Sequence, residues 1–173
     1  MRVALLATIP FSVMLYVLAK PVVTFIYNAP AATDATQAIA LAIVFLGLHQ
    51  VSTGILQGLK MPKIPVINMG IACVIKVFCN WFLVAIPTLG IIGASYATVA
   101  DIGVAAALNL FFIYKHTGYA MQFKDVLKNI VCAAAMGIVM QGIFNYTEHI
   151  GLFLSLLLTT MLGTAVYIGL MAA

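Results

Sequence analysis

Six long apolar stretches, separated by short gaps, constrain this chain more than any other feature. A helix needs about 20 apolar residues to cross a hydrocarbon core of roughly 30 Å, and each stretch is long enough. Charged residues make up only 7% of the 173 residues, whereas a typical soluble domain has about 25%. We therefore predict an all-α membrane protein, a polytopic bundle of six transmembrane helices. The predicted spans are 3–27, 36–59, 64–86, 91–114, 126–146 and 151–172.

The positions of the positive charges predict how these spans are threaded. Arg2 precedes the first span, and the second and fourth gaps or their flanks hold Lys60, Lys63, Lys115, Lys124 and Lys128. The first, third and fifth gaps contain neither Lys nor Arg. Because short loops rich in Lys and Arg remain cytoplasmic, the pattern predicts that both termini are inside. The same pattern explains the net charge of +4, so the charge does not indicate a nucleic-acid partner.

The six spans leave almost no residues for an aqueous domain, which argues against an enzyme. The pattern contains no nucleophile paired with a base. Three cysteines, Cys73, Cys79 and Cys132, all fall within spans, and their spacing matches neither a metal site nor a disulfide framework. We therefore expect no catalytic residues, no metal site and no bound cofactor.

Two charged residues are predicted to lie near the middle of the membrane, where such groups are expensive. Lys76 is twelve residues into the third span and Asp101 ten residues into the fourth. Insertion scales put the cost of such a charge at about 2.5–3.5 kcal/mol. Two interpretations remain open. In one, Lys76 and Asp101 form a mutual ion pair that lowers this cost. In the other, Lys76 lines a cavity and meets an anionic substrate, with Asp101 as its partner or as a proton site.

Further polar residues extend these two positions into stripes along the helices. On the third span, positions 68, 72, 76 and 80 repeat at intervals of four, so Asn68 and Asn80 share a face with Lys76. On the fourth span, Asn109 lies on the same face as Asp101. On the second span, the polar residues that share a face are His49, Thr53 and Gln57. Polar faces within a membrane are expected to look into the bundle or a water-filled cavity.

Four segments of the chain resemble bacterial polysaccharide exporters, most closely the stage V sporulation protein B group. They read IPFSVMLYVLAKPVVTFIYN, IVFLGLHQVSTGILQGLKMPKIPVINMG, IKVFCNWFLVAIPTLGIIGASYATV and ALNLFFIYKHTG. The resemblance covers roughly residues 9–118. That group belongs to the multidrug/oligosaccharidyl-lipid/polysaccharide flippase superfamily. The resemblance implies a two-lobed, alternating-access transporter of some fourteen helices. In it, residues 1–173 would form most of the C-terminal lobe, without the N-terminal lobe.

The resemblance also implies a set of substrate-binding residues. Lys76 and Asn80 stand where the group commonly has a Lys and an Asn, within the phrase IK…N. Gln57 matches the Gln of the LQG phrase, whereas Asp101 matches no motif of the group. We include all four residues in the predicted substrate-binding set, with Lys76 contacting an anionic headgroup and Asn80 supporting it through hydrogen bonds.

The function implied by the resemblance is export of a lipid-linked polysaccharide or peptidoglycan precursor across the bacterial inner membrane. Expected partners are the lipid-linked saccharide, membrane lipids, and the N-terminal lobe or a partner chain. Coupling to H⁺, Na⁺ or the membrane potential stays open. One alternative is a cation-coupled multidrug exporter, which would use Asp101 as its carboxylate. Another is a non-transporting membrane subunit or scaffold.

Overall fold

The structure, a computed structural model, describes residues 1–119, 123–147, 149 and 151–172. These residues form a bundle of eight α-helices and one short 3₁₀ turn, Pro30–Ala32, and no strand is found among them. The helices, in chain order, are α1 (Arg2–Val17), α2 (Ala19–Tyr27), α3 (Thr33–Ala40), α4 (Ala42–Gly58), α5 (Lys63–Val84), α6 (Gly90–Thr117), α7 (Phe123–Thr147) and α8 (Leu152–Ala172). The predicted all-α class is confirmed.

Among the described residues, five continuous stretches are long and apolar enough to cross a membrane. One of them begins at the 3₁₀ turn and runs through α3 and α4, from Pro30 to Gly58, six residues earlier than predicted. The helices α5 to α8 supply the other four. The predicted gap at 147–150 includes Glu148 and Ile150, which lie outside the described residues.

The first predicted span, 3–27, is not a single helix. It consists of α1 and α2, which meet at Leu18 with a bend of 70°. The break at Leu18 precedes Pro21 because a proline ring collides with the carbonyl group four residues back. For Pro21 that carbonyl belongs to Val17, the last residue of α1. Pro21 itself lies in the first turn of α2, where its missing N–H is tolerated. The bent pair can form a sixth span.

Large apolar side chains point outward over much of the bundle. Trp81 and Phe82 on α5, Ile91 on α6 and Ile138 on α7 are each more than 65% exposed. Such a surface is typical of a protein whose solvent is lipid, because an aqueous protein rarely leaves large contiguous apolar areas uncovered. The composition argument for a multi-pass membrane protein is therefore supported by the packing.

A cluster of buried apolar side chains lies mainly where α1, α7 and α8 meet, and it extends to Leu48 of α4 and Ala106 of α6. It contains Leu5 and Ile9 of α1, Met136 and Met140 of α7, and Tyr167 of α8. On the other side of the bundle, α6 packs against α3, α4 and α5. The helix α5 is the most peripheral element, since it packs mainly on α6 and only slightly on α4. The predicted site residues lie on α4, α5 and α6.

Candidate substrate-binding site

The structure joins the two mid-membrane charges. Lys76 Nζ lies 3.3 Å from Asp101 Oδ2 and donates a hydrogen bond to it, linking the middle of α5 to α6. Lys76 keeps 34% of its side chain exposed and Asp101 keeps 19%. The ion-pair interpretation is therefore the geometry observed. This pairing does not prevent Lys76 from contacting a substrate, because its ammonium group has three N–H donors and only one is used by Asp101. That contact stays a prediction.

The exposure of Lys76 matters because of where it lies in α5. Its neighbours Val77 and Phe78 are each about 60% exposed, and α5 is covered mainly by α6. A charged group at this depth does not face lipid stably, so it needs water or further protein around it. The Lys76 surface of α5 is thus better suited to a hydrated cavity than to the lipid phase.

Asn80 follows Lys76 by one turn on the same face of α5. Its Oδ1 atom is buried and has no hydrogen-bond partner among the described residues. The predicted role of Asn80, hydrogen bonding that supports the contact of Lys76 with a headgroup, stays a prediction. A buried amide oxygen without a donor is unfavourable by about 1–3 kcal/mol. The atom is therefore free to accept a hydrogen bond from water or from a bound ligand.

Gln57 lies apart from the Lys76–Asp101 pair. It is exposed and belongs to the last turn of α4, whereas Lys76 is more than three turns into α5, or roughly 20 Å along the helix axis from its start. The helix end at Gln57 is closed by main-chain bonds, from Lys60 N–H to the Gln57 carbonyl and from Met61 N–H to the Leu56 carbonyl. This Schellman arrangement places Lys60 at φ 62°. No hydrogen bond of the Gln57 side chain is seen in the described part of the chain.

A buried amide network connects α4, α5 and α6 about two helical turns from the ion pair. Asn109 accepts a hydrogen bond from Asn68 Nδ2 at 2.9 Å. It donates to Ser52 Oγ at 3.2 Å and to Thr53 Oγ1 at 3.0 Å. Asn68 is 1% exposed and Asn109 0%. The sequence places both asparagines on polar faces, but it does not single out Ser52, which lies off the face of His49, Thr53 and Gln57.

His49 lies one turn from Thr53 but does not join this network through its side chain. Its carbonyl oxygen accepts a hydrogen bond from Ser52 Oγ at 2.9 Å, while its Nε2 atom is buried without a partner. The cysteines are free, and no group of three or more His, Cys, Asp or Glu side chains that could hold a metal ion occurs in the described part of the chain.

Comparisons with known proteins agree with this architecture. The MatE family profile matches residues 1–82. An uncharacterized membrane protein of Bacillus subtilis (strain 168), YabM, is 35% identical over 92 residues, which is 53% of this chain and 17% of YabM. The structure of the lipid II flippase MurJ in an inward closed conformation matches 97% of this chain with a TM-score of 0.80 and 22% identity. The matched region is 36% of the MurJ chain.

These findings confirm the resemblance to the flippase superfamily and the fold of a membrane-transporter bundle. At 22% identity the MurJ likeness concerns the fold alone. The chain spans far less than two thirds of the length of either relative. Which lobe of a larger protein residues 1–173 correspond to, and which residues bind a substrate, remain predictions.

Proposed function

We propose that this chain forms part of a bacterial inner-membrane transporter that flips a lipid-linked saccharide precursor of the cell envelope. Within it, the bundle acts as one lobe of a two-lobed, alternating-access protein, with both of its termini in the cytoplasm. Lys76 contacts the anionic diphosphate of the lipid carrier. The protein uses no bound cofactor, and H⁺, Na⁺ or the membrane potential drives its cycle. The family match and the transporter fold support this assignment.

One observation carries the proposal. Lys76 pairs with Asp101 at 3.3 Å in the middle of two apolar helices, yet a third of the lysine remains exposed. A purely structural pair would be expected to lie fully inside the bundle, because the exposed part of a charge at this depth would otherwise meet lipid. An ammonium group that lines a water-filled cavity between lobes explains both features. Transporter substrate sites commonly lie near the midplane at such an interface.

The surroundings of Lys76 suit a phosphate-bearing ligand with polar sugars. Lysine supplies a mobile point charge with three N–H donors, which fits phosphate oxygens. The unpartnered Oδ1 atom of Asn80 accepts a hydrogen bond from a sugar hydroxyl or from a bridging water. Asp101 holds the ammonium group in place while the site is empty. Binding therefore exchanges part of the Lys76–Asp101 attraction for a contact with the diphosphate.

The test compares variants of Lys76 and Asp101 expressed from the native gene, with the flipping of a fluorescent lipid-linked diphosphate saccharide as the readout. We expect Lys76→Ala to abolish flipping and Lys76→Arg to retain part of it. The double variant Lys76→Met/Asp101→Asn removes both charges and leaves no unpaired carboxylate. It should therefore insert and fold as the wild type does, but it should not transport.

Lys63→Ala is the matched control, since Lys63 is an exposed lysine at the start of α5. It should transport at the wild-type rate. Wild-type flipping by the double variant would contradict the proposal, because the pair would then be a structural feature only. The proposal would also be contradicted if Lys76→Ala failed to insert into the membrane while the double variant transported normally. The charge pair would then serve only to stabilise the fold.

The same variants separate the alternative functions. A cation-coupled drug exporter would lose efflux of a cationic drug in Asp101→Asn while cells kept a normal envelope. The observed pairing of Asp101 with Lys76 makes that carboxylate less available for coupling. A non-transporting subunit would show no transport phenotype in any variant, and it would co-purify with a second polytopic chain.

A further inference from the structure

A small cavity lies far from the Lys76 site, at the end of the bundle where α1 and α7 begin and α8 ends. It has a volume of about 190 Å³. Its lining residues are Arg2, Leu6, Lys128, Asn129 and Met171. Two cations and a buried amide thus converge with two apolar side chains. The proposed transport site uses none of these residues, so the inference below is independent of the proposed function.

Asn129 is the feature that distinguishes this cavity from an ordinary crevice. Its side chain is 3% exposed, and its Oδ1 atom has no hydrogen-bond partner among the described residues. Buried polar atoms in proteins are nearly always satisfied by protein, water or a ligand. Asn129 lines the cavity, and its unsatisfied Oδ1 atom favours an occupant that carries a hydroxyl or another hydrogen-bond donor.

The positive charge at the mouth of the cavity indicates the charge of the ligand. Lys128 and Arg2 are both exposed, and the described lining residues include no carboxylate. Arg2 has a partner within the chain, but a guanidinium carries five N–H donors and keeps its positive charge. Two cations at one opening favour an anion and disfavour a ligand whose donor is an ammonium group.

The walls of the cavity are held by contacts between the three helices. Tyr167 Oη on α8 donates a hydrogen bond to the Leu6 carbonyl of α1 at 3.0 Å. Cys132 Sγ on α7 lies 3.9 Å from the Leu170 carbonyl of α8. These contacts position the end of α8 against α1 and α7. The cavity therefore lies between helices that these contacts hold together.

We propose that this cavity binds the headgroup of an anionic glycerophospholipid that has a free hydroxyl, of the phosphatidylglycerol class. The phosphodiester lies at Lys128 and Arg2, and a headgroup hydroxyl donates to Asn129 Oδ1. Leu6 and Met171 contact the apolar part of the lipid nearest the headgroup. Basic pockets between transmembrane helices are known sites for acidic lipid headgroups. The positive-inside pattern of the sequence predicts that this end of the bundle lies in the cytoplasmic leaflet.

The experiment measures lipid affinity of the purified protein in neutral detergent. The probes are phosphatidylglycerol, phosphatidylmethanol, which is anionic but has no headgroup hydroxyl, and phosphatidylcholine. We expect saturable binding of phosphatidylglycerol, weaker binding of phosphatidylmethanol, and no saturable binding of phosphatidylcholine. Lys128→Gln should weaken phosphatidylglycerol binding about five-fold, since a basic residue near an anionic lipid contributes about 1 kcal/mol. Lys115→Gln, an exposed lysine in the last turn of α6, is the matched control and should have no effect.

Asn129→Leu tests the hydroxyl contact. It should bind phosphatidylglycerol and phosphatidylmethanol equally, at the wild-type affinity for phosphatidylmethanol. Three outcomes would overturn the proposal: equal binding of phosphatidylcholine and phosphatidylglycerol, equal losses in Lys128→Gln and Lys115→Gln, or competition by free glycerol 1-phosphate at the affinity of the lipid. The last result would assign the cavity to a soluble phosphate ester. Should Asn129→Leu not fold, the surface variant Lys128→Gln decides the question alone.

Discussion

The two sides of the bundle are held together by different kinds of contact. On one side, which we call the polar half, α4, α5 and α6 are joined by the hydrogen bonds of Asn109 and by the Lys76–Asp101 pair. On the other, the apolar half, α1, α7 and α8 meet through buried side chains such as Met136 and Met140. The two charged residues of the proposed site, Lys76 and Asp101, lie in the polar half.

This difference follows from what lipid does to helix packing. Lipid tails are as apolar as leucine, so helices in a membrane associate through close fit and hydrogen bonds. The apolar half relies on close fit. The helix α5 buries only Pro65, Asn68 and Ala72, so its position on α6 depends on polar contacts and on the close approach of the two backbones. The helix α5 can therefore stay packed on α6 while its other face borders a cavity.

The largest effect is expected at Gly93, where α6 begins to pack against the end of α5. A Cβ atom on Gly93 would lie 2.6 Å from the carbonyl oxygen of Leu83 and 2.8 Å from its carbonyl carbon. Backbone atoms cannot move aside as a side-chain end can, so the two helices would have to separate. We expect Gly93→Ala to destabilise the protein by about 3 kcal/mol, at the upper end for overpacking. Unfolding in mixed micelles with increasing SDS would measure it.

Gly54→Ala provides the control for this substitution. Nothing lies within 4 Å of a Cβ atom at Gly54, and alanine is favoured over glycine within a helix by about 0.5–1 kcal/mol. That variant should be as stable as the wild type or slightly more stable. If Gly93→Ala were equally harmless, the close contact of α5 and α6 would not be what positions α5.

The next largest effect is expected for the amide network of the polar half. Asn109→Leu removes three hydrogen bonds and leaves Asn68, which is 1% exposed, without its acceptor. Interhelical hydrogen bonds in membranes average about 0.6 kcal/mol each, so we expect a loss of about 2 kcal/mol. The same SDS titration measures it, with Asn145→Leu, an exposed asparagine on α7, as the matched control. Equal stability of both variants would mean that the network is not what joins α4 to α6.

The sequence predicted most of the helices because apolar length is a strong signal in a membrane protein. The predicted third span, 64–86, matches α5 to within two residues at each end. The predicted sixth span, 151–172, begins one residue before α8 and ends at the same residue. The first predicted span is divided by a 70° break at Leu18. The direction taken by α2 after Leu18 depends on tertiary packing, and a residue pattern carries no information about it.

The candidate site was predictable only in part. The cost of charge in lipid singles out Lys76 and Asp101 from the sequence alone. Whether they touch depends on how α5 and α6 are rotated about their axes, which spacing within one helix does not determine. Gln57 was grouped with them through a motif, but it lies at the far end of α4. Nothing in the sequence indicated that Asn129 would be buried, since an asparagine near the start of a helix is usually solvated.

The smallest effect is expected at Gly163, the counterpart of Gly93 in the apolar half. A Cβ atom there would lie 2.5 Å from Cγ and 2.6 Å from Sδ of Met140, so it too meets a close neighbour. Methionine, however, is unbranched and flexible and can change rotamer within an irregular core. We expect Gly163→Ala to cost about 1 kcal/mol, at the lower end for overpacking, and Gly163→Ala/Met140→Ala to recover little of it because it opens a cavity. A loss as large as that of Gly93→Ala would show that the apolar half is as rigid as the α5–α6 contact, and the contrast between the two halves would then rest on hydrogen bonding alone.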